Sequence, residues 1–165
     1  MTDAPSLIAE TISAAAFAPF GDVLMVPSEF GRNYYDSGLG NTRDGAVASL
    51  FIAHIAATPA LPVTATEMER HEFSSQSFIP MDASRYLIAV APHRADGKPD
   101  AEKARAFIVP GSVGITYGVN VWHHPIIVLD RPAKFAVQMW RDGSSTDEEF
   151  VKLEQPFRIE VPVDV

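Results

Sequence analysis

Apolar residues in this chain fall into short runs at 22–26, 46–57, 62–70, 76–81, 85–92, 105–109, 113–117, 121–129 and 134–140, each bounded by turn residues. Phe135, Val137 and Met139 alternate with Lys134, Ala136 and Gln138, which is the two-residue period of a half-buried strand. The stretch from Ala46 to Ala56 is alanine-rich and long enough for a helix. Val47, Phe51, Ile52 and Ile55 favour a strand there instead, because branched and aromatic side chains suit a pleated surface. Two short helical segments are expected. One covers Ser13 to Phe17 and ends near Pro19; the other covers Ala101 to Ala104, entered through the turn Lys98-Pro99-Asp100. Many short strands with frequent turn signals predict a mainly all-β fold, an antiparallel sandwich or barrel with a few short helices.

The chain has 165 residues, nearly half of them hydrophobic, enough for one core, so a single domain over 1–165 is expected. Prolines and glycines are scattered, and no segment has the composition of a linker. No apolar run approaches the roughly 18 residues of a membrane span. The opening Met-Thr-Asp-Ala-Pro lacks a basic stretch followed by an apolar one, so no secretory leader is expected. The sequence has no cysteine, which rules out disulfides and thiolate metal sites within it and fits a cytoplasmic location. The net charge of -8 disfavours nucleic-acid and anionic-membrane partners. An anionic small molecule would need a local Arg or Lys.

Two segments carry the chemistry. From Glu69 to Gln76 the chain reads Glu-Arg-His-Glu-Phe-Ser-Ser-Gln. On a strand, Glu69 and His71 face the same way and Arg70 faces the other. The second segment is Val121-Trp122-His123-His124-Pro125, where only one of the adjacent histidines can share a pocket with Glu69 and His71. His123 is the expected member. His124, before Pro125, is expected to be structural, and Trp122 to belong to the core. A carboxylate, two imidazoles and the Gln76 amide suit acid/base or metal chemistry on a small molecule. Tyr117 either contacts a ligand or packs. Arg43 and Lys98 are candidate anion binders. His54 and His93 fit no motif, and Asp147-Glu148-Glu149 reads as a solvated turn or helix start.

The spacing Glu69-x-His71-x4-Gln76, with His123 later, resembles the cupin ligand pattern with Glu in place of its first His and Gln in place of its Glu. Longer strings resemble the ureidoglycolate lyase family. They are Phe17-Ala18-Pro19-Phe20-Gly21-Asp22-Val23; Met68-Glu69-Arg70-His71; Gln76-Ser77-Phe78-Ile79-Pro80-Met81; Lys98-Pro99-Asp100; Arg105-Ala106-Phe107-Ile108; and Gly111, Gly114 and Tyr117 before Val121 to Pro125. Arg43, after Gly38, matches a family arginine. The likeness spans roughly residues 15 to 142. It implies a cupin-like β-barrel or jelly roll and a homodimer. It further implies cleavage of ureidoglycolate to glyoxylate and urea in allantoin and purine breakdown.

By that resemblance Glu69, His71 and His123 are the catalytic candidates, and Arg43, Gln76, Lys98 and Tyr117 the substrate-binding ones. Glu69, His71, Gln76 and His123 are the ligands if a divalent metal, nickel by the resemblance, is bound. Gln is a weak transition-metal ligand, so protein that is often metal-free as purified is expected. The alternatives are another cupin enzyme acting on a small organic acid and a non-catalytic small-molecule-binding domain.

Overall fold

The computed structural model describes residues 4–163. The elements in chain order are β1 (Ser6–Ile8), β2 (Glu10–Thr11), α1 (Ala14–Phe17), β3 (Gly21–Leu24), β4 (Val47–Ile55), β5 (Val63–His71), β6 (Gln76–Pro80) and β7 (Arg85–Ala91). A single 3-10 turn (Ala101–Lys103) follows, then β8 (Arg105–Pro110), β9 (Gly114–Tyr117), β10 (Trp122–His123), β11 (Ile127–Val128), β12 (Ala133–Arg141) and β13 (Glu148–Glu160). The strands form two sheets. The first runs β1-β13-β5-β10-β7-β8-β2, with β11 also pairing β7, and curls into a nearly closed barrel. The second runs β3-β9-β6-β12-β4. The fold is all-β and cupin-like. Among the described residues no helix is long and apolar enough to cross a membrane.

Strand β7 shows how the core is divided. It is buried over almost its whole length, and its side chains alternate between two apolar clusters. Leu87, Ala89 and Ala91 join Met68, Trp122 and Ile159 on one side. Tyr86, Ile88 and Val90 join Phe17, Phe107, Phe135 and Val137 between the sheets. Tyr86 and Phe135 meet edge to face with centroids 5.2 Å apart. A strand covered on both faces reads as a continuous apolar run, as Tyr86 to Ala91 does.

Segment 46–56 is a strand, β4, paired along its length with the alternating β12. Helix α1 starts where Ser13 accepts a hydrogen bond from Ala16 N–H at 3.2 Å. The run 121–129 is interrupted. His124-Pro125 separates β10 from β11, because proline has no N–H to donate to a ladder. The amino-terminal strands β1 and β2 were not expected, nor was β13, the longest in the fold. Asp147-Glu148-Glu149 is not a free turn or helix start: Glu148 and Glu149 begin β13, opposite His71 and Arg70. The rest of β13 alternates partly buried Val151 and Leu153, then buried Phe157 and Ile159, with more polar neighbours. Its pairing with β5 shifts between Lys152 and Phe157, around Pro156.

Gly21 has φ +147°, and a Cβ there would lie 1.8 Å from the Thr116 carbonyl oxygen. Glycine is therefore required where β3 closes on β9. This contact seats Tyr117 between Gly21 and Gln76 in the second sheet.

Candidate functional site

Strand β5 ends at His71 in the first sheet, and β6 starts at Gln76 in the second. Residues 72–75 are the corner between the sheets. His123 lies directly opposite Glu69 in the β10–β5 pair and opposite Val90 in the β10–β7 pair. Val90 points between the sheets, so His123 and Glu69 do as well, and His71 follows Glu69 by strand parity. The structure thus brings Glu69, His71 and His123 together as the two-residue period predicts.

The imidazole rings of His71 and His123 have centroids 5.9 Å apart. His123 donates Nδ1–H to the carbonyl oxygen of Val121 at 2.9 Å. That bond leaves Nε2 as the acceptor nitrogen, and it lies 3.4 Å from Glu69 Oε1. Two acceptors at that distance favour a shared proton or a cation. Tyr117 stacks on His123 with centroids 4.0 Å apart and planes at 15°, which fixes the ring. Both ring nitrogens of His71, Nε2 of His123, Oε1 of Gln76 and the hydroxyl of Tyr117 are buried without a hydrogen-bond partner. Buried polar groups are nearly always satisfied, so this concentration marks a candidate ligand site.

The acid/base character follows from the surroundings. Burial works to raise the Glu69 carboxyl, but the close approach and charge of His123, with the charge of His71, hold it below its ordinary value. Burial and the charge of His123 push His71 down, against Glu69 and Asp147. His71 is therefore set toward the neutral imidazole. Burial raises the Tyr117 hydroxyl well above its ordinary value, keeping it protonated and a hydrogen-bond donor. Glu69, His71 and His123 can each present one ligand atom within 4.8 Å of the others. One carboxylate and two imidazoles suit a borderline divalent ion, and the unpartnered Gln76 carbonyl oxygen is a weaker fourth donor.

A cavity of about 470 Å³ is reached by His71 and Gln76 of these groups and is lined also by Arg43, Trp140, Arg141 and Asp147 among others. Arg43 is at the cavity, but its guanidinium is engaged. Nη1 lies 3.0 Å from Asp142 Oδ2 and bonds Thr146 Oγ1 at 3.2 Å. Its Nη2 is 4.0 Å from Asp147 Oδ2. Arg141 also lines the cavity and has no ion pair among the described residues. Lys98 is not brought to this cavity. It is exposed, 3.6 Å from Glu154, in a separate hollow with Arg94. His124 turns its Nδ1 to the carbonyl oxygen of Pro125 at 2.7 Å and stands outside the Glu69–His71–His123 group. Trp122 is core, with Nε1–H donated to Gly97 at 2.9 Å. Arg70 faces away, over the Trp122 ring at 4.6 Å. His54 pairs across from Lys134, while His93 pins a loop through the carbonyls of Gly97 and Asn120.

Sequence reasoning missed Arg141, Trp140 and Asp147. Trp140 ends the alternating run 134–140 and Arg141 extends it by one residue, so that signal was available. Nothing in the acidic run distinguishes Asp147, which is buried, from Glu148, which is exposed.

A sequence profile described as Ureidoglycolate lyase matches residues 4–160. The chain is 34% identical over 173 residues to a ureidoglycolate lyase of Schizosaccharomyces pombe, covering 88% of this chain and 90% of that protein. It is 36% identical over 171 residues to one of Burkholderia cepacia, covering 97% and 93%. It is 35% identical over 156 residues to one of Azotobacter vinelandii, covering 86% and 89%.

Arg43 brackets the segment from Asp142 to Asp147. Arg43→Ala is expected to lower stability by about 1–3 kcal/mol, the worth of charge-assisted hydrogen bonds. It should also expose 142–146 to proteolysis. Urea denaturation and limited digestion measure both, and wild-type values in each would mean the bracket carries no weight.

Proposed function

The chain belongs to the ureidoglycolate lyase family, and from that premise we propose that it cleaves ureidoglycolate to glyoxylate and urea, a step of allantoin and purine breakdown. The observation that carries this reading is the convergence of Glu69, His71 and His123, with their unpartnered ring nitrogens, beside the Gln76 amide. Cleavage requires that a base take the hydroxyl proton while the carbon–nitrogen bond breaks. An acid must protonate the departing ureido nitrogen. The electron pair of the O–H bond becomes the new carbonyl bond, and the pair of the C–N bond leaves with the nitrogen. His71, kept neutral by burial and by His123, is the base. The Glu69–His123 pair, 3.4 Å apart, holds the proton returned to nitrogen.

The Gln76 side chain is itself an amide, with a donor and an acceptor matched to the ureido group. Tyr117 holds the His123 ring by stacking. Arg43 and Arg141 form the cationic side of the cavity toward the substrate carboxylate. Glu69, His71 and His123, with Gln76, are also the side chains that would hold a divalent ion, nickel by family likeness, which when bound supplies Lewis acidity toward the hydroxyl. Titrating nickel into chelator-treated protein tests this, and a Glu69→Gln variant that binds it as well as wild type would remove Glu69 from the ligand set.

We read the protein as a cytoplasmic homodimer. A cysteine-free chain fits a reducing compartment. Leu50, Ile52 and Ile79 are 70, 57 and 49% exposed on the face of the second sheet turned from the core. The register aligns Ile52, Ala136 and Ile79 across three adjacent strands. An apolar patch of this kind favours self-association. Sedimentation should give a dimer for the wild type and a monomer for Ile52→Glu; a monomeric wild type at micromolar concentration would sink the dimer.

Glu69→Gln and His123→Ala should each lower kcat by about 10²- to 10⁴-fold, with the folded circular dichroism spectrum retained. Urea release at saturating substrate measures this, and near-wild-type turnover in both variants would mean the reaction occurs elsewhere. In chelator-treated enzyme, kcat/KM should fall as pH drops and His71 takes up a proton. The midpoint should lie below the ordinary histidine value of 6.5, because burial disfavours the imidazolium. A midpoint above 6.5 would exclude His71 as the base.

A further inference from the structure

Asp147 has no task in the reaction as written, yet it is among the most constrained polar residues of the chain. It is 5% exposed, while its neighbours Thr146 and Glu148 are exposed. Burying a carboxylate is costly unless donors surround it. Oδ1 of Asp147 accepts from Phe73 N–H at 2.9 Å, and Oδ2 accepts from the Ser74 hydroxyl at 2.5 Å. Its backbone carbonyl accepts from Glu72 N–H at 3.0 Å. Arg43 Nη2 lies 4.0 Å from Oδ2. The remaining neighbour is His71, whose Nδ1 is 3.6 Å from Oδ2.

That last distance is ion-pair range, a few tenths of an ångström beyond a hydrogen bond. An ionised carboxylate can only accept, so the favoured arrangement puts the imidazole proton on the nitrogen facing it. Nδ1 then carries the proton, and Nε2, on the far edge of the ring, keeps its lone pair. A base, or a ligand to a cation, needs that free lone pair. Val121 does the same for His123 through its backbone carbonyl. For His71 the orienting group is a charged side chain that also holds the corner on which His71 sits.

We propose that Asp147 is the positioning residue of the site: it fixes His71 as the Nδ1–H tautomer, with Nε2 directed to the substrate, and ties the 72–75 corner to the same point. The proposal rests on His71 being in the reacting pocket. Asp147 lines the cavity as well, but the role assigned to it here acts through His71.

The test uses full-length protein with ¹⁵N-labelled histidine, at about pH 8, above the ordinary histidine range. Imidazole ¹⁵N shifts should report Nδ1–H for His71 in the wild type; Nε2–H there overturns the proposal without any variant. Asp147→Asn keeps an acceptor for the corner but can turn an amide N–H toward Nδ1. It should move His71 toward the Nε2–H form and lower kcat by about 10- to 100-fold, the usual cost of losing an orienting partner, with KM little changed. Ser74→Ala removes a corner contact and leaves the carboxylate facing His71, so it should keep the wild-type tautomer and most of kcat. An equal loss in Ser74→Ala, or an unchanged tautomer in Asp147→Asn, would assign Asp147 to the corner alone and overturn the proposal. If wild-type protein does not release urea from ureidoglycolate, the lyase reading fails, and the ¹⁵N comparison by itself decides the role of Asp147.

Discussion

The site depends on one constraint: residues 72–75 must turn the chain from one sheet into the other with Ser74 and Ser75 buried. A buried corner cannot leave its backbone groups to water, so each must find a partner inside the protein. Two remote segments supply them. Glu72 and Phe73 donate their N–H groups to Asp147. Phe73 C=O accepts from Thr42 N–H, Ser75 N–H reaches Gly40 O, and Gly40 N–H returns to Ser75 Oγ. Segments far apart in sequence are thereby fastened to the few residues that separate His71 from Gln76. This bonding holds the corner from which both side chains reach the cavity.

The two faces of β5 divide the work. On the inner face Glu69 and His71 meet His123. On the opposite face Arg70 bonds Glu149 at 2.7 Å and Asn120 at 2.9 Å and covers the Trp122 ring. Asn120 holds φ +64°, a conformation asparagine tolerates, and donates its N–H to the His71 carbonyl at 2.8 Å. The brace behind the strand therefore holds the loop that leads into β10, and with it the register that puts His123 opposite Glu69. A cation-π contact and two charge-assisted bonds maintain geometry there.

Unsatisfied buried nitrogens and oxygens cost folding free energy, and this fold tolerates them at one end because the rest of the core is apolar and continuous. Strand β7, covered on both faces, and the Phe17–Phe107–Tyr117 aromatic contacts lie directly beneath the site. Among the described residues most of these unpartnered atoms lie at or beside the cavity, the pattern expected of a candidate functional site. The overall charge is acidic, yet Arg43 and Arg141 both line the cavity. Asp147 and Glu148 line the same cavity and Arg43 is paired with Asp142 and Asp147, which leaves Arg141 as its cation without an ion pair among the described residues.

Local periodicity was legible in the sequence by itself. The alternation of 134–140, the continuous apolar run of 85–92 and the parity of Glu69 with His71 are properties of neighbouring residues, and backbone geometry converts them directly into faces. The family strings carried the fold and the expected chemistry further than periodicity could. Partnership across the fold was decided only by the tertiary structure. Strand β13 alternates well enough to have been read, but its opening Asp-Glu-Glu looks solvated until β5 is laid beside it. Arg43 and Lys98 are alike as isolated basic residues; packing put one at the cavity among Asp142, Thr146 and Asp147 and the other in a hollow facing Glu154. Asp147 and Glu148 are adjacent and both acidic, yet one is buried against His71 and the other is exposed. Burial and hydrogen-bond partners are set by segments dozens of residues away, so residue type and spacing carry no trace of them.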